Sequence, residues 1–95
     1  KAAIASYSEA NVSNSKIENC GLCGIYIYGG KGKIENNEIN SNGSVGIQAM
    51  NGSPAIIDNS ISNHSSYGIH IDVDASPGVC GNKFTNNSCG NVNRE

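Results

Sequence analysis

Side chains able to bind a ligand recur at a fixed spacing in this chain. Tyr26, Gln48 and His70 lie 22 residues apart, and Tyr28, Met50 and Asp72 form a second row two positions after them. Asp74 joins the same face if the third strand continues through it. Phenol rings can stack on flat apolar groups, amides and imidazoles bond to hydroxyl groups, and carboxylates serve as bases or bind Ca²⁺. The predicted ligand-binding residues are Tyr26, Tyr28, Gln48, His70, Asp72 and Asp74. The more ordinary interpretation, which the pattern favours, is a solvated face of outward strand residues.

These residues can share a face only if the chain repeats, and a period of about 22 residues is present. One apolar column consists of Val12, Ile34, Ile56 and Val79, and a second lies five residues later at Ile17, Ile39, Ile61 and Phe84. A glycine column follows at Gly24, Gly46, Gly68 and Gly90, and apolar pairs two residues apart come after it. Ala3 and Ala5 fit such a pair from an earlier unit. One extra residue before Val79 and one missing before Gly90 indicate loops, because insertions fall in connections.

The repeat predicts an all-β parallel β-helix of about four coils. "GIYI", "GIQA" and "GIHI" alternate with period 2, as strands do. A leucine-rich repeat has a similar period, but Leu22 is the only leucine and no helical stripe occurs. The predicted domain is one repeat segment spanning 1–95, with a partial coil near 1–11 and coils at 12–33, 34–55, 56–78 and 79–95.

A polar column stands two residues before the second apolar column, at Ser15, Asn37, Asn59 and Asn82. The odd gap of five between inward columns requires a bend, and asparagine tolerates the left-handed backbone conformation that a sharp bend uses. Stacked at roughly 4.8 Å, these amides could also bond to one another as a ladder. We therefore predict a structural role for them.

The cysteines do not form a metal-binding pattern. Cys20 and Cys23 make one CxxC, whereas Cys80 and Cys89 are too far apart in sequence for a second. His64 falls in the column of Cys20 but two coils away, roughly 10 Å, which is too far for one tetrahedral zinc site. We expect four unpaired thiols, with a local Cys20–Cys23 disulfide as the alternative.

Composition excludes some partners and leaves the location open. A net charge of -2 with 15% charged residues provides no basic surface for nucleic acid or anionic membrane, and no apolar run is long enough to span a bilayer. Sequons give candidate glycosylation sites at Asn11, Asn42, Asn63 and Asn86. We expect an extracellular or cell-surface protein, with an intracellular adaptor as the alternative. Uncapped coils would continue into further coils or stack end to end with other copies.

The stretch "GKGKIENNEINSNGSVGIQAMNGSPAIIDNSISNHSSYGIHI" resembles the right-handed parallel β-helix repeat of carbohydrate-binding proteins and sugar hydrolases. It is especially similar to the repeats of β-helix-bearing F-box proteins, and the resemblance covers Asn11 to Asn93. Relatives of this kind include pectate lyases, polygalacturonases, phage tailspikes and intracellular adaptors. The resemblance implies a right-handed coil, and in an enzyme it implies a site on one outward strand face. The matching face here carries Tyr26, Gln48 and His70, so the resemblance implies that its tyrosines could stack on sugar rings.

Three functions fit this sequence. The paired-aspartate pattern of polygalacturonases and the stacked aspartates of the lyases are missing, so we predict no catalytic residue. The favoured function is a non-catalytic module that presents a binding or scaffold surface to a polysaccharide or protein. The alternatives are an excerpt of a carbohydrate-active enzyme and a subunit of an extracellular filament. No cofactor is expected, apart from Ca²⁺ at Asp72 and Asp74.

Overall fold

The structure is a computed structural model that describes residues 4–6, 11–21 and 24–94. All regular elements in these ranges are short strands. In chain order they are β1 (Ile4–Ser6), β2 (Asn11–Ser13), β3 (Lys16–Glu18), β4 (Ile25–Tyr28), β5 (Lys33–Glu35), β6 (Glu38–Asn40), β7 (Ile47–Asn51), β8 (Ala55–Ile57), β9 (Ser60–Ser62), β10 (Tyr67–Ile71), β11 (Gly78–Cys80), β12 (Lys83–Thr85) and β13 (Gly90–Arg94). The described residues include no helix of the length and apolarity needed to cross a membrane.

The strands form three parallel sheets, and each turn of the chain contributes one strand to each sheet. Sheet A has the order β1-β4-β7-β10-β13, sheet B the order β11-β8-β5-β2 and sheet C the order β12-β9-β6-β3. Neighbours in a sheet are three strands apart in the chain, so the backbone winds as a coil. The all-β parallel β-helix predicted from the repeat is therefore confirmed.

The core is a set of stacked isoleucine columns. Ile34 pairs with Ile56 in sheet B, Ile39 with Ile61 in sheet C, and all four side chains are fully buried. In sheet A the inward positions alternate with half-exposed ones, as period 2 requires. Burying one such side chain contributes about 1.5–3 kcal/mol. Since β-branched residues have few rotamers, identical isoleucines stack with little loss of side-chain entropy.

The first corner, between sheets B and C, corrects the predicted role of the polar column. The left-handed conformation belongs to the residue before each column asparagine: Asn14, Asn36, Asp58 and Gly81 have φ between 52° and 69°. In the column itself, Asn37 and Asn59 are buried and face inward, Asn82 is half-buried and Ser15 is exposed. The bend thus takes place at an exposed residue, and the next side chain is directed into the coil.

The register at both ends of sheet A also differs from the prediction. Tyr67 pairs with Gly90 and Ile69 with Val92, so the offset of 23 residues persists after Val79 and no residue is missing before Gly90. At the other end Ala5 pairs with Tyr26. The predicted pair of Ala3 and Ala5 would instead have placed Ala5 opposite an inward isoleucine. Ala3, the other half of the predicted pair, lies outside the described residues.

Three glycines of the predicted column, Gly24, Gly46 and Gly68, stand where two coils touch, whereas Gly90 pairs with Tyr67 and makes no such close contact. A Cβ built on Gly46 would lie 2.7 Å from the carbonyl oxygen of Gly68 and 2.8 Å from Cγ2 of Ile61. Gly24 meets the coil after it in the same way, 2.9 Å from the Gly46 carbonyl. A larger residue at these positions would strain the neighbouring backbone and buried side chains. Close packing of the coils therefore requires glycine there.

We predict that Gly46→Ala lowers the free energy of unfolding by about 1–3 kcal/mol, because the new methyl group overlaps a backbone carbonyl. Urea unfolding followed by circular dichroism would measure this. Gly78→Ala is the matched control, since its Cβ would meet nothing within 4 Å. Equal stability of the two variants would contradict the packing argument.

Candidate functional site

The outward side of sheet A brings the first predicted row together. Tyr26 pairs with Gln48, and Gln48 pairs with His70. The row extends to Asn93, which pairs with His70 and was not predicted. Because the extra residue before Val79 shifts every later position, Asn93 would have been found by keeping the offset at 23. We call Tyr26, Gln48, His70 and Asn93 the sheet A row.

Neighbouring side chains in and beside this row contact one another. The side-chain nitrogen of Asn93 lies 3.2 Å from Nδ1 of His70, within hydrogen-bond distance. The amide of Gln48 contacts the sulfur of Met50 at 3.2 Å. All four row residues are half-buried. The row therefore presents oriented amide, imidazole and phenol groups along a line of adjacent strands.

The second predicted row is not continuous, and its alignment was wrong. Tyr28 pairs with Asn51 because the register shifts after Ile27, which leaves Met50 as the extra residue of a β-bulge. Tyr28 is 47% exposed at this edge of the row. A bulge re-aims side chains locally, and nothing in the spacing of 22 revealed it.

The predicted continuation of the third strand through Asp74 was also wrong. Strand β10 ends at Ile71, and Val73 and Asp74 form a turn. The turn is closed by the Ala75 N–H, which donates to the Asp72 carbonyl at 3.0 Å. Asp72 and Asp74 therefore lie in the loop that follows the sheet A row and do not extend it.

The described residues contain no group of three or more His, Cys, Asp or Glu side chains placed to hold a metal ion. Ca²⁺ usually takes 6–8 oxygen ligands. Calcium at Asp72 and Asp74 would therefore need backbone or water oxygens as well, and it stays a prediction.

The asparagine ladder predicted at the first corner is present. The Asn37 side-chain amide donates to Oδ1 of Asn59, and the Asn59 amide donates to Oδ1 of Asn82, both at 3.0 Å. Each amide also donates to a carbonyl of the preceding coil, as Asn59 does to Ile34 at 3.0 Å. Each Oδ1 accepts a backbone N–H as well, such as that of Asn37 at Asn59. Buried backbone groups that the bend leaves unpaired are satisfied in this way.

A second ladder, which sequence reasoning missed, lies at the corner between sheets C and A. The backbone N–H groups of Cys20, Asn42 and His64 donate to side-chain acceptors one coil further on, namely Asn42 Oδ1, His64 Nδ1 and Asn87 Oδ1. The repeat aligns Cys20 with His64 in this column. Because the members differ in residue type, the spacing did not predict that they share a hydrogen-bonding role.

His64 replaces asparagine in the second ladder and uses both ring nitrogens. Nδ1 accepts from the Asn42 N–H at 3.3 Å, and Nε2 lies 3.2 Å from the Ile39 carbonyl. This pair of contacts requires a neutral ring with its proton on Nε2. The side chain is 1% exposed, and burial lowers the pKa of His64, whereas its contacts with the backbone at Ile39 and Asn42 oppose that effect.

The asparagines of the candidate glycosylation sites differ in their exposure to solvent. Asn11, Asn63 and Asn86 are exposed, and Asn63 and Asn86 are left-handed corner residues. Asn42 is 3% exposed, with its Oδ1 bound in the second ladder. A glycan on Asn42 is incompatible with the folded coil, while the other three sites stay predictions.

Three cysteines are described, and all are free thiols: Cys20 is half-buried, whereas Cys80 and Cys89 are exposed. Cys23 lies outside the described residues, so the alternative Cys20–Cys23 disulfide stays a prediction. The ladder bonds from Cys20 through Asn42 to His64 confirm that Cys20 and His64 are two coils apart.

A shallow polar cleft of about 460 Å³ lies outside the first corner, and its residues were not predicted as a site. Its lining includes Asn14, Lys16, Asn36, Glu38 and Asp58. The amide of Asn36 donates to Oδ1 of Asn14 at 2.6 Å. The residues that make the bend thus also form a hydrogen-bonding surface.

Three parallel sheets wound by one chain define the class of the protein as a parallel β-solenoid. The family described as right-handed β-helix region matches residues 2–93, so the chain belongs to that family. Neither a curated protein nor a solved structure matches it significantly. The family supports the right-handed coil; the finer resemblance to carbohydrate-binding and F-box proteins stays a prediction.

We predict that Asn59→Ala lowers the free energy of unfolding by at least ~2 kcal/mol, because the Asn37 N–H and the Ile34 carbonyl lose a buried partner. Chemical denaturation would measure the loss. Asn91→Ala, at an exposed strand position, is the matched control and should change stability by less than ~0.5 kcal/mol. A loss no larger than the control's would argue against the ladder.

We predict that stability falls as the pH drops below 6.5, the ordinary pKa of histidine. The pKa of His64 is lowered in the folded chain, so the unfolded chain binds the proton first, and the destabilisation stops growing below the folded pKa. Protonation also places a second donor opposite the Asn42 N–H.

The measurement is the difference in urea midpoint between the protein and His64→Asn, taken from about pH 8 to pH 5. Asparagine can form both ladder bonds without a titrating group, as Asn87 does in the same column. A constant difference across this range would refute the role of the neutral ring.

Proposed function

We propose that the chain is a non-catalytic β-helix module whose sheet A row binds a glycan. The observation that carries the proposal is the continuous register of Tyr26, Gln48, His70 and Asn93 across four neighbouring strands. Parallel strands lie ~4.8 Å apart, so the row offers a regular line of contact points to an extended chain of sugars.

The chemistry of the row suits uncharged sugar hydroxyls. Amides and imidazole can both donate and accept hydrogen bonds, and the tyrosine ring adds an apolar face for stacking. Tyr28, at the edge of the row, adds a second and more exposed ring. The row carries no carboxylate, whereas glycoside hydrolysis ordinarily uses a pair of them. This composition favours binding over catalysis.

The proposal also includes a calcium site and the cellular location of the protein. Asp72 and Asp74 follow the row and could bind Ca²⁺ beside the glycan. Exposed sequons at Asn63 and Asn86 support an extracellular or cell-surface location. The free thiols at Cys80 and Cys89 instead suit the alternative, an intracellular adaptor.

We predict that glycans bound by the protein bind Tyr26→Ala up to about tenfold more weakly, because one stacking ring is worth about 0.5–1.5 kcal/mol. A glycan array followed by calorimetric titration of the best ligand would measure this. Thr85→Ala, exposed on sheet C, is the control and should bind as the unmodified protein does.

Further measurements test the calcium site, the position of the glycan site and the class of ligand separately. Weaker binding after chelation and with Asp72→Asn would support calcium, and unchanged binding would remove it. Full affinity in both Tyr26→Ala and His70→Ala would move the site away from the sheet A row. The absence of any bound glycan would leave a protein partner as the better candidate.

A second candidate function is end-to-end assembly. Within the described residues, β13, β11 and β12 have a strand neighbour on one side only, as do β1, β2 and β3 at the opposite end. Unpaired strand edges are templates for further pairing. Association that grows with concentration in light scattering would support stacking of copies, and a monomer at high concentration would exclude it.

A further inference from the structure

The chain contains two Asn-Gly dipeptides, Asn42–Gly43 and Asn51–Gly52, in different surroundings. Asparagine followed by glycine is the pair in which the glycine nitrogen meets least steric hindrance when it approaches the asparagine side chain, because glycine has no Cβ. The geometry of each dipeptide therefore decides whether its two reacting atoms can meet.

In Asn51–Gly52 the two groups are already in contact. The Gly52 N–H donates to Oδ1 of Asn51 at 2.7 Å. Since Oδ1 is bonded to Cγ, this contact keeps the Gly52 nitrogen near the side-chain carbonyl carbon that it must attack. Asn51 is half-buried at the end of β7, and Gly52 has a φ of +84°.

In Asn42–Gly43 the same two groups are held apart. Oδ1 of Asn42 accepts the Cys20 N–H at 3.0 Å, and the side chain is 3% exposed. The Gly43 N–H donates instead to the Cys20 carbonyl at 2.7 Å. Reaction here requires both of these bonds to the preceding coil to break.

We propose that Asn51 is a site of spontaneous modification through a succinimide, and that the second ladder protects Asn42. The Gly52 nitrogen attacks Cγ of Asn51 and forms an N–Cγ bond. The Cγ–Nδ2 bond breaks, and the side-chain NH₂ leaves as ammonia with the proton of the Gly52 nitrogen. Water then opens the ring, and no atom is oxidised or reduced.

The two products differ in their main chain. Water attack at Cγ breaks the new bond and gives aspartate, with the normal backbone. Water attack at the main-chain carbonyl carbon gives isoaspartate, in which the chain runs through Cβ and Cγ of residue 51. Both products add a carboxylate at residue 51, whose strand partner is Tyr28.

The packing around Gly52 favours the aspartate product. A Cβ on Gly52 would lie 2.6 Å from the carbonyl carbon of Gly29, so this part of the coil is in close contact with the coil before it. The next coil is bound through Ser76, whose N–H donates to the Gly52 carbonyl at 2.8 Å. Isoaspartate adds a carbon to the main chain and would displace Gly52 from both neighbours.

The test is peptide mapping by mass spectrometry after incubation of the folded protein at mildly alkaline pH. We expect the loss of amide at Asn51 to be at least about tenfold faster than at Asn42, and this ratio to fall towards one in concentrated urea. Equal rates at the two sites in the folded protein, or an unmodified Asn51, would overturn the proposal.

A second measurement follows the products and does not depend on glycan binding. Asn51→Asp reproduces the aspartate product and should keep the urea midpoint of the unmodified protein. Fractions enriched in isoaspartate should unfold at lower urea concentration. If the isoaspartate fraction were as stable as Asn51→Asp, the packing argument at Gly52 would be wrong, while the rate comparison would still test the site.

Discussion

At two corners of the coil, between sheets B and C and between sheets C and A, backbone groups lose their strand partners, and a buried side chain with both a donor and an acceptor bonds to them. Asn59 does so at the first corner, where it bonds to the Asn37 N–H and the Ile34 carbonyl. His64 does the same at the second corner with two ring nitrogens. Without these bonds, polar backbone groups would be buried beside the isoleucine columns without partners, at a cost of about 1–3 kcal/mol each. The sheets can therefore lie close enough to share one core only because the corners are satisfied.

Much of the fold could be predicted from spacing, because inward residues repeat in type as well as in position. Isoleucines such as Ile34 and Ile56 reveal their column directly, and so do the asparagines of the first ladder. The second ladder could not be read in this way, because cysteine, asparagine and histidine share no obvious property until their backbone partners are known. Its members are joined by hydrogen-bond geometry rather than by residue type.

The candidate site was predictable in part, for the same reason. Tyr26, Gln48 and His70 follow the strict period and lie in one row. Tyr28 and the aspartates lie where the chain leaves the sheet, and there a bulge at Met50 and a turn at Val73 set the positions locally. A sequence period describes sheets well and connections poorly. Asn93 was missed because the offset introduced by one inserted residue was assumed to be cancelled later, whereas the coil simply carries it forward.

The ladders have a direction. Each ladder side chain reaches back to the coil before it: Asn59 bonds to Ile34, Asn82 to Ile56 and Asn87 to Ile61. A coil's corners are thus completed by residues that follow it in the chain by 22 positions or more. During synthesis, which proceeds from the amino end, every new coil would close the one before it and leave its own corners open. Such a protein would be expected to fold coil by coil from its amino end, with only the most recently synthesised coil unfinished.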